Sequence, residues 1–464
     1  MRNIKHRRLI ASVIALGLLA TACGDDEPEV SDTPTTEPAD DGTEPTGTET
    51  GTAAPEDIKF DVGVTEDTIT LGLLADLTGV FAPLVTDIVS AQEVYWDKVN
   101  AAGGIAGRQI ELIVEDAGYD VTRNVENYEK IRNEVAAIPL AVGSPHTAAI
   151  VPSLEEDDMV VVPLTWYSGW ADPEIGSNVL EQGTNYCLEA MNVLSWVNDN
   201  HEGDSPPTLA IISFPGEYGQ DGATGAKIAA EELGMEIVYD GEAAVVPGQD
   251  QTAVISEIVR TSPDWVFATT NPTTLGEIMG GAVAQGFQGN WTGSVPSYDF
   301  RMLDSPLAEA IDAYYYQSAY NVAFGTDVPG MQELVDAMTE AEPDARVSDA
   351  AVLGWIEATI IDTVLRQAAE NGDLTRAGIL DAALSIDSID FGGLQPTQTY
   401  AGEPNDYVLR ESAMFKPNLE YYNEGGGASA TYANGGNTGS ELIQDFFASD
   451  LAANYDYQGA CFTG

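Results

Sequence analysis

From residue 60 onward, short apolar runs rich in β-branched residues alternate with longer amphipathic stretches. Thr68–Leu77 predicts a strand. Thr86–Asn100 predicts a helix capped by Thr86 and closed by Gly103 and Gly104, which can take left-handed backbone. Gln109–Glu115 predicts the next strand, Thr122–Asn133 a helix with Thr122 at its cap, Ala137–Val142 a strand and, after a further helix, Met159–Pro163 another. The rhythm resumes with strands at Leu209–Ser213, Glu236–Tyr239 and Trp265–Ala268, and with helices at Asp221–Leu233, Thr252–Thr261 and Thr274–Gln285. Apolar strands separated by helices imply parallel sheets covered on both faces, and two such series imply two sheets. The expected class is α/β, with two Rossmann-like lobes and ligand beyond the carboxyl ends of the strands.

Before residue 60 the pattern differs. Arg2, Lys5, Arg7 and Arg8 precede the apolar run Leu9–Leu19, which is shorter than the roughly 20 residues a membrane span needs, so residues 1–22 read as a secretory signal. The run ends at Ala20-Thr21-Ala22-Cys23, which resembles a bacterial lipobox. A diacylated Cys23 would carry the two acyl chains that stable anchoring requires. The alternative is an ordinary signal peptide with an incidental cysteine. Residues 23–59, made almost wholly of Thr, Pro, Gly, Ala, Asp and Glu, read as a disordered acidic stalk.

Charge narrows the function classes. The chain has 18 Lys+Arg against 75 Asp+Glu, a formal net charge of -57, so nucleic acid and anionic lipid headgroups are repelled. The acidity is spread along the whole chain and reads as a solvated surface. Once Cys23 is set aside, Cys187 and Cys461 remain, and in an oxidising exterior a disulfide that pins the C-terminal tail is expected. Free thiols or a metal site are the alternatives, though neither cysteine has His or Cys neighbours at ligand spacing.

No catalytic pattern stands out. Beyond the signal only His146 and His201 remain, and there is neither a His-Glu-x-x-His nor a Gly-x-Ser-x-Gly. Gly103–Gly107 follows a helix rather than a strand, unlike a dinucleotide loop. Glu155–Glu156 and Asp157–Asp158 read as a solvated helix end, and a carboxylate-dependent hydrolase is the alternative. The expectation is a protein that is not an enzyme and that holds no cofactor and no metal.

Three runs in the first half carry a family resemblance: Ile69–Gly79 (ITLGLLADLTG), Asn100–Arg108 (NAAGGIAGR) and Glu115–Asp120 (EDAGYD). Glu217–Gly219, Leu275–Ile278 and Ala284–Gly286 carry it into the second half. Over about residues 62–406 the chain resembles type I periplasmic binding proteins of the leucine/isoleucine/valine-binding family, in lipoprotein form. The resemblance implies a two-lobed clamp with a three-strand hinge, lobe one over 62–175 plus 314–395 and lobe two over 176–313 plus 396–464. It also implies a monomer that captures a small molecule outside the cytoplasmic membrane and passes it to the permease of an ABC importer. A sensing ectodomain of the same fold is the alternative.

The resemblance places Ser144 at the family's carboxylate-binding serine. It lies in Val142–Thr147, where Ser144 suits a helix cap, Pro145 the first helical position, and the helix amide end an anion. His146 adjoins it. Thr165, Trp166 and Tyr167 match the segment that completes the head-group site, although the two aromatics depart from the family's small residues; core packing is the alternative for them and the expectation for Trp170. Tyr218 matches a tyrosine that closes over ligand, Asn271 falls at another family tyrosine, and Phe81 belongs to the cleft rim. The acid that pairs with an amino acid's ammonium matches Val295, with Asp299 nearby as a substitute. Without a counter-charge an ammonium is costly to bury, so the ligand stays open among amino acids, amides and carboxylates. Gly-rich Glu424–Asn437 reads as a surface loop.

Overall fold

The computed structural model describes residues 58–464; the signal, Cys23 and the stalk up to residue 57 lie outside them. In chain order the first half comprises β1 (Lys59–Phe60), β2 (Thr68–Ala75), α1 (Ala82–Ala101), β3 (Gln109–Asp116), α2 (Val121–Ile131), β4 (Ala137–Val142), α3 (Ser144–Glu156), β5 (Val161–Leu164) and α4 (Pro173–Gly176). Next come α5 (Tyr186–Asp199), β6 (Leu209–Ser213), α6 (Glu217–Leu233), β7 (Ile237–Gly241), α7 (Thr252–Thr261), β8 (Trp265–Thr269), α8 (Pro272–Ala284), β9 (Asn290–Gly293), α9 (Ala308–Tyr314) and β10 (Tyr315–Ala319). The chain then forms α10 (Pro329–Ala341), α11 (Asp349–Glu370), β11 (Asp373–Leu374) and α12 (Arg376–Leu384), and later β12 (Ser412–Pro417) and β13 (Ser440–Phe447).

Two sheets result. The first is parallel, in the order β3-β2-β4-β5; the second has seven strands, β13-β12-β10-β9-β8-β6-β7, in which β12 runs antiparallel to both neighbours. Helices α1, α10, α11 and α12 share a core with the first sheet, where Tyr95 meets Trp355 edge-on at 4.8 Å. This is the α/β architecture with parallel sheets in two lobes that the hydrophobic pattern implies.

Element starts moved for local reasons. Helix α1 begins a turn before Thr86, because Pro83 suits its first turn and the Asp76 carboxylate accepts the amides of Gly79 (2.6 Å) and Phe81 (2.9 Å). The Thr86 hydroxyl instead donates to the Ala82 carbonyl inside the helix. Asp120, not Thr122, caps α2 by accepting the Arg123 amide at 2.9 Å. At α3 the cap position is Gly143, at φ 94°, and Ser144 is the first helical residue. A Cβ on Gly143 would lie 2.8 Å from His146 Nδ1 and 3.0 Å from the Tyr119 ring, so this glycine is what lets both aromatics close on the turn.

The lobes exchange chain three times, later than 175 and 314. Leu180 still donates to Val161 of the first sheet, and Tyr315–Ala319 is a strand of the second, so the first two crossings fall near Glu181–Asn185 and Tyr320–Ala323. The third follows Leu394, whose carbonyl accepts the Val322 amide at 2.8 Å, and Tyr400 donates to the Glu181 carbonyl at 3.0 Å.

Two further segments join the lobes. Residues 424–437 are not a free loop: Tyr432 is buried, packs edge-on against Phe324 at 5.5 Å and donates its amide to Ala345 of lobe one. The tail is joined by a Cys187–Cys461 disulfide with Cα atoms 6.4 Å apart. Asp221 of α6 accepts the Ser168 amide (2.9 Å), the Ser168 hydroxyl (2.6 Å) and the Phe462 amide (3.2 Å). The last residues are thus sewn to the loop after β5 on one lobe and to α5 and α6 on the other.

Candidate ligand-binding cleft

Between the lobes lies a chamber of about 910 Å³ of space between atoms, its mouth included. Four groups of residues build it. The turn into α1 and its first two turns supply Phe81, Leu84 and Ile88; the loops after β3, β4 and β5 supply Tyr119, Ser144 and Trp166. Helix α11 supplies Ala350 and Leu353, and lobe two with the second crossing supplies Tyr186, Tyr218, Val295, Tyr298, Val322 and Phe415. Most of these groups are hydrocarbon, as expected of a cavity that takes an apolar ligand body.

One end is rich in hydroxyls. Ser144 and Thr165 hydroxyls bond each other, and α3 opens on the amides of Ser144 and His146, which have no carbonyl one turn back to receive them. Tyr186 and Tyr218 stack with ring centroids 4.7 Å apart, and Tyr119 meets Phe81 at 5.0 Å. Burial holds all three phenols far above their usual range, so they stay protonated donors. The Tyr218 hydroxyl donates to the Thr270 carbonyl at 2.5 Å and lies 2.9 Å from the Ser294 hydroxyl. Donors, a helix amide end and no opposing carboxylate suit an electron-rich head group.

The carboxylates along the chamber are committed elsewhere. Asp299 accepts the Arg301 amide at 2.8 Å and pairs with its guanidinium at 3.0 Å. Asp349 accepts the Phe324 amide (2.7 Å) and the Thr438 hydroxyl (2.9 Å). Behind Val295, Glu189 accepts the Val295 amide (2.9 Å) and the Tyr320 hydroxyl (2.6 Å), and burial pushes its carboxyl up to about 8. Asp299 thus already has its cation, and burial shifts the carboxyls of Glu189 and Asp349 toward their neutral forms.

A family model described as periplasmic binding protein matches residues 68–406. The chain belongs to that family. A fatty acid ABC transporter substrate-binding protein from Thermomonospora curvata is similar at 28% identity and TM-score 0.78, over 86% of this chain and 97% of that one. A branched-chain amino acid ABC transporter protein from Thermus thermophilus with bound valine is 15% identical, with TM-score 0.68, over 83% of this chain and 97% of that one, and shares the fold. Among curated proteins, the Leu/Ile/Val-binding protein homolog 3 of Brucella melitensis is 26% identical over 208 residues, 43% of this chain. The chain spans about half, 53%, of that relative's length.

In this periplasmic binding protein the sequence-predicted residues divide. Ser144, Trp166, Tyr218, Phe81 and Asp299 line the chamber. Thr165 stands just behind, on Ser144. His146 does not line it; it is buried against Tyr119 with ring centroids 4.4 Å apart, and burial lowers its pKa. Tyr167 faces away, donating to the Phe462 carbonyl at 2.7 Å and packing on Trp170, so it holds the tail rather than ligand. Asn271 is the cap of α8, accepting the Thr274 amide at 2.8 Å. Sequence reasoning missed Tyr119, Tyr186 and Leu353. Tyr119 stood inside the quoted EDAGYD run and Tyr186 beside Cys187, whereas Leu353 had no sequence signal, because α11 reaches the cleft only through the fold.

Proposed function

We propose that this protein is the extracytoplasmic, lipid-anchored binding component of an ABC importer, and that it captures a hydrophobic carboxylate of the fatty acid class between its lobes. The observation that carries the ligand class is the hydrocarbon-lined chamber with hydroxyl donors and a helix amide end on one side, whose two lining carboxylates, Asp299 and Asp349, are already hydrogen-bonded. A carboxylate head would meet Ser144, Tyr119, Tyr186 and the α3 amides, and the chain would lie along Ile88, Leu353, Val322 and Phe415. An α-amino acid would bring an ammonium whose counter-charge would have to come from Asp349 or Asp299, both already hydrogen-bonded within the protein. The similarity to the Thermomonospora curvata fatty acid protein supports the same class.

The role is capture and release rather than turnover. Ligand touching both lobes favours the closed form, and the permease reads closure. The protein acts as a monomer held to the outer face of the membrane through Cys23, with the stalk ending before residue 58, since Ile58 is buried in the core and Lys59 belongs to β1, two residues short of the expected boundary at 59.

The test is a thermal-shift screen of the mature protein against fatty carboxylates, leucine, isoleucine, valine and amides, followed by calorimetry. Ligand at about 100 times Kd adds about 2.7 kcal/mol, a clear rise in melting temperature. Shifts with fatty carboxylates and none with the amino acids are expected; shifts with leucine alone would overturn the ligand class while keeping the importer role.

A further inference from the structure

A second, open groove lies outside the chamber and shares three of its residues, Phe81, Leu84 and Asp299. It is made by both lobes: Val80 and Pro83 from the start of α1, and Pro272, Gly276, Met302 and Leu307 from α8 and the segment beyond Asp299. We propose that this groove is a second acyl-chain subsite, continuous with the inner chamber, which takes the far end of a chain too long for that chamber. The inference rests on the hydrophobic carboxylate reading above.

Three observations carry it. The partition is largely apolar: Phe81 and Leu84 line both spaces and present hydrocarbon to each. Its one charged member, Asp299, is buried and paired with Arg301, which in turn reaches Asp87 at 2.5 Å, so methylenes moving past it do not have to strip water from a solvated carboxylate. The groove is apolar yet wet, with Val80 37% exposed, so an occupying chain removes hydrocarbon on both sides from water. The groove also exists because position 276 carries no side chain. A Cβ there would meet Leu307 and Met302 at 3.6 Å, an ordinary contact, so a larger residue would fit by filling the groove.

The experiment compares wild type, Gly276→Leu and Thr273→Phe in binding a saturated series from hexanoate to eicosanoate, each below its micelle concentration. Thr273 lies on the groove and is exposed, so its substitution keeps the test sound if Gly276→Leu fails to fold. Each buried methylene contributes about fourfold in affinity. Wild type is expected to keep gaining affinity past the length at which both variants level off, with all three equal for short chains. Length profiles that coincide in wild type and variants would overturn the groove assignment alone. If no carboxylate in the series binds wild type, the hydrophobic carboxylate reading itself falls, and the groove with it.

Discussion

Arg301 of lobe two places its Nη2 2.5 Å from Asp87 Oδ2 on α1 of lobe one, while its Nη1 stays paired with Asp299 at 3.0 Å. Both partners of the inter-lobe contact are mostly buried, with side chains 26% and 21% exposed, so salt screens it less than a surface pair. It spans the two lobes, so separating them breaks it. Arg301→Met is therefore expected to weaken ligand binding by roughly tenfold, about 1.4 kcal/mol, mainly through faster dissociation. Stopped-flow dissociation rates of the two proteins check it, and equal rates would show that the contact is idle.

Ser144 and Tyr186 are assigned to the head group, and their removal separates binding from folding. Ser144→Ala and Tyr186→Phe each delete one donor hydroxyl facing the chamber end. A loss of roughly 1–3 kcal/mol in carboxylate affinity is expected, with the unliganded melting temperature little changed. Calorimetry with one fatty acid, and with the matching alcohol that lacks the carboxylate, gives the comparison; the variants should lose affinity for the acid and much less for the alcohol.

Acidity should stabilise this protein. Burial pushes Glu189 up to about 8, Asp221 up to about 7 and Asp299 up to about 6. A carboxyl raised in the folded state binds its proton more tightly there than in the unfolded chain. Its contribution is full below the ordinary carboxylate value and is lost as pH rises through the raised one. The formal charge of -57 acts in the same direction through self-repulsion. The melting temperature should fall as pH rises from about 5 to about 8, and Glu189→Gln should flatten the part of the slope due to that group. A melting temperature that rises with pH over this range would contradict the assignment.

The Cys187–Cys461 bridge closes a loop with a sequence separation of 274 residues. The chain-entropy model puts a bridge over so long a loop at about 5 kcal/mol, an upper figure because real bridges often deliver less. A double Cys→Ser variant should melt lower, and limited proteolysis should then remove the residues after Tyr457 first. Retention of the full tail in the variant would mean that Asp221, Ser168 and Tyr167 hold it unaided.

The fold was largely legible because strand and helix periods are local signals: β4, β6 and α7 fall on their expected residues, and the two-sheet division follows from two apolar series. The starts of α1 and α2 were misplaced because side-chain carboxylates, Asp76 and Asp120, rather than the nearest threonine, satisfy the local amides. The site was legible where a motif carried it, at Ser144 and Tyr218. It was not legible at Tyr167, whose loop position suggested the cleft but whose hydroxyl is claimed by Phe462, 295 residues away in the chain. Nor could a linear reading find Leu353, since the wall it forms exists only once α11 has packed against α1.

Lys59 and Phe60 run parallel to Asp373 and Leu374 as a short strand pair, and Lys59 Nζ lies 3.1 Å from Asp373 Oδ2. A pull arriving along the chain ahead of residue 58 is therefore received by lobe one, while lobe two is reached through the crossings, the 424–437 segment, the tail and the Arg301–Asp87 contact. Under the proposed anchoring through Cys23, lobe one is the moored half and lobe two the one that swings. Letting go of cargo is then a displacement of lobe two about a fixed partner, and the surface that changes position with loading is that of lobe two.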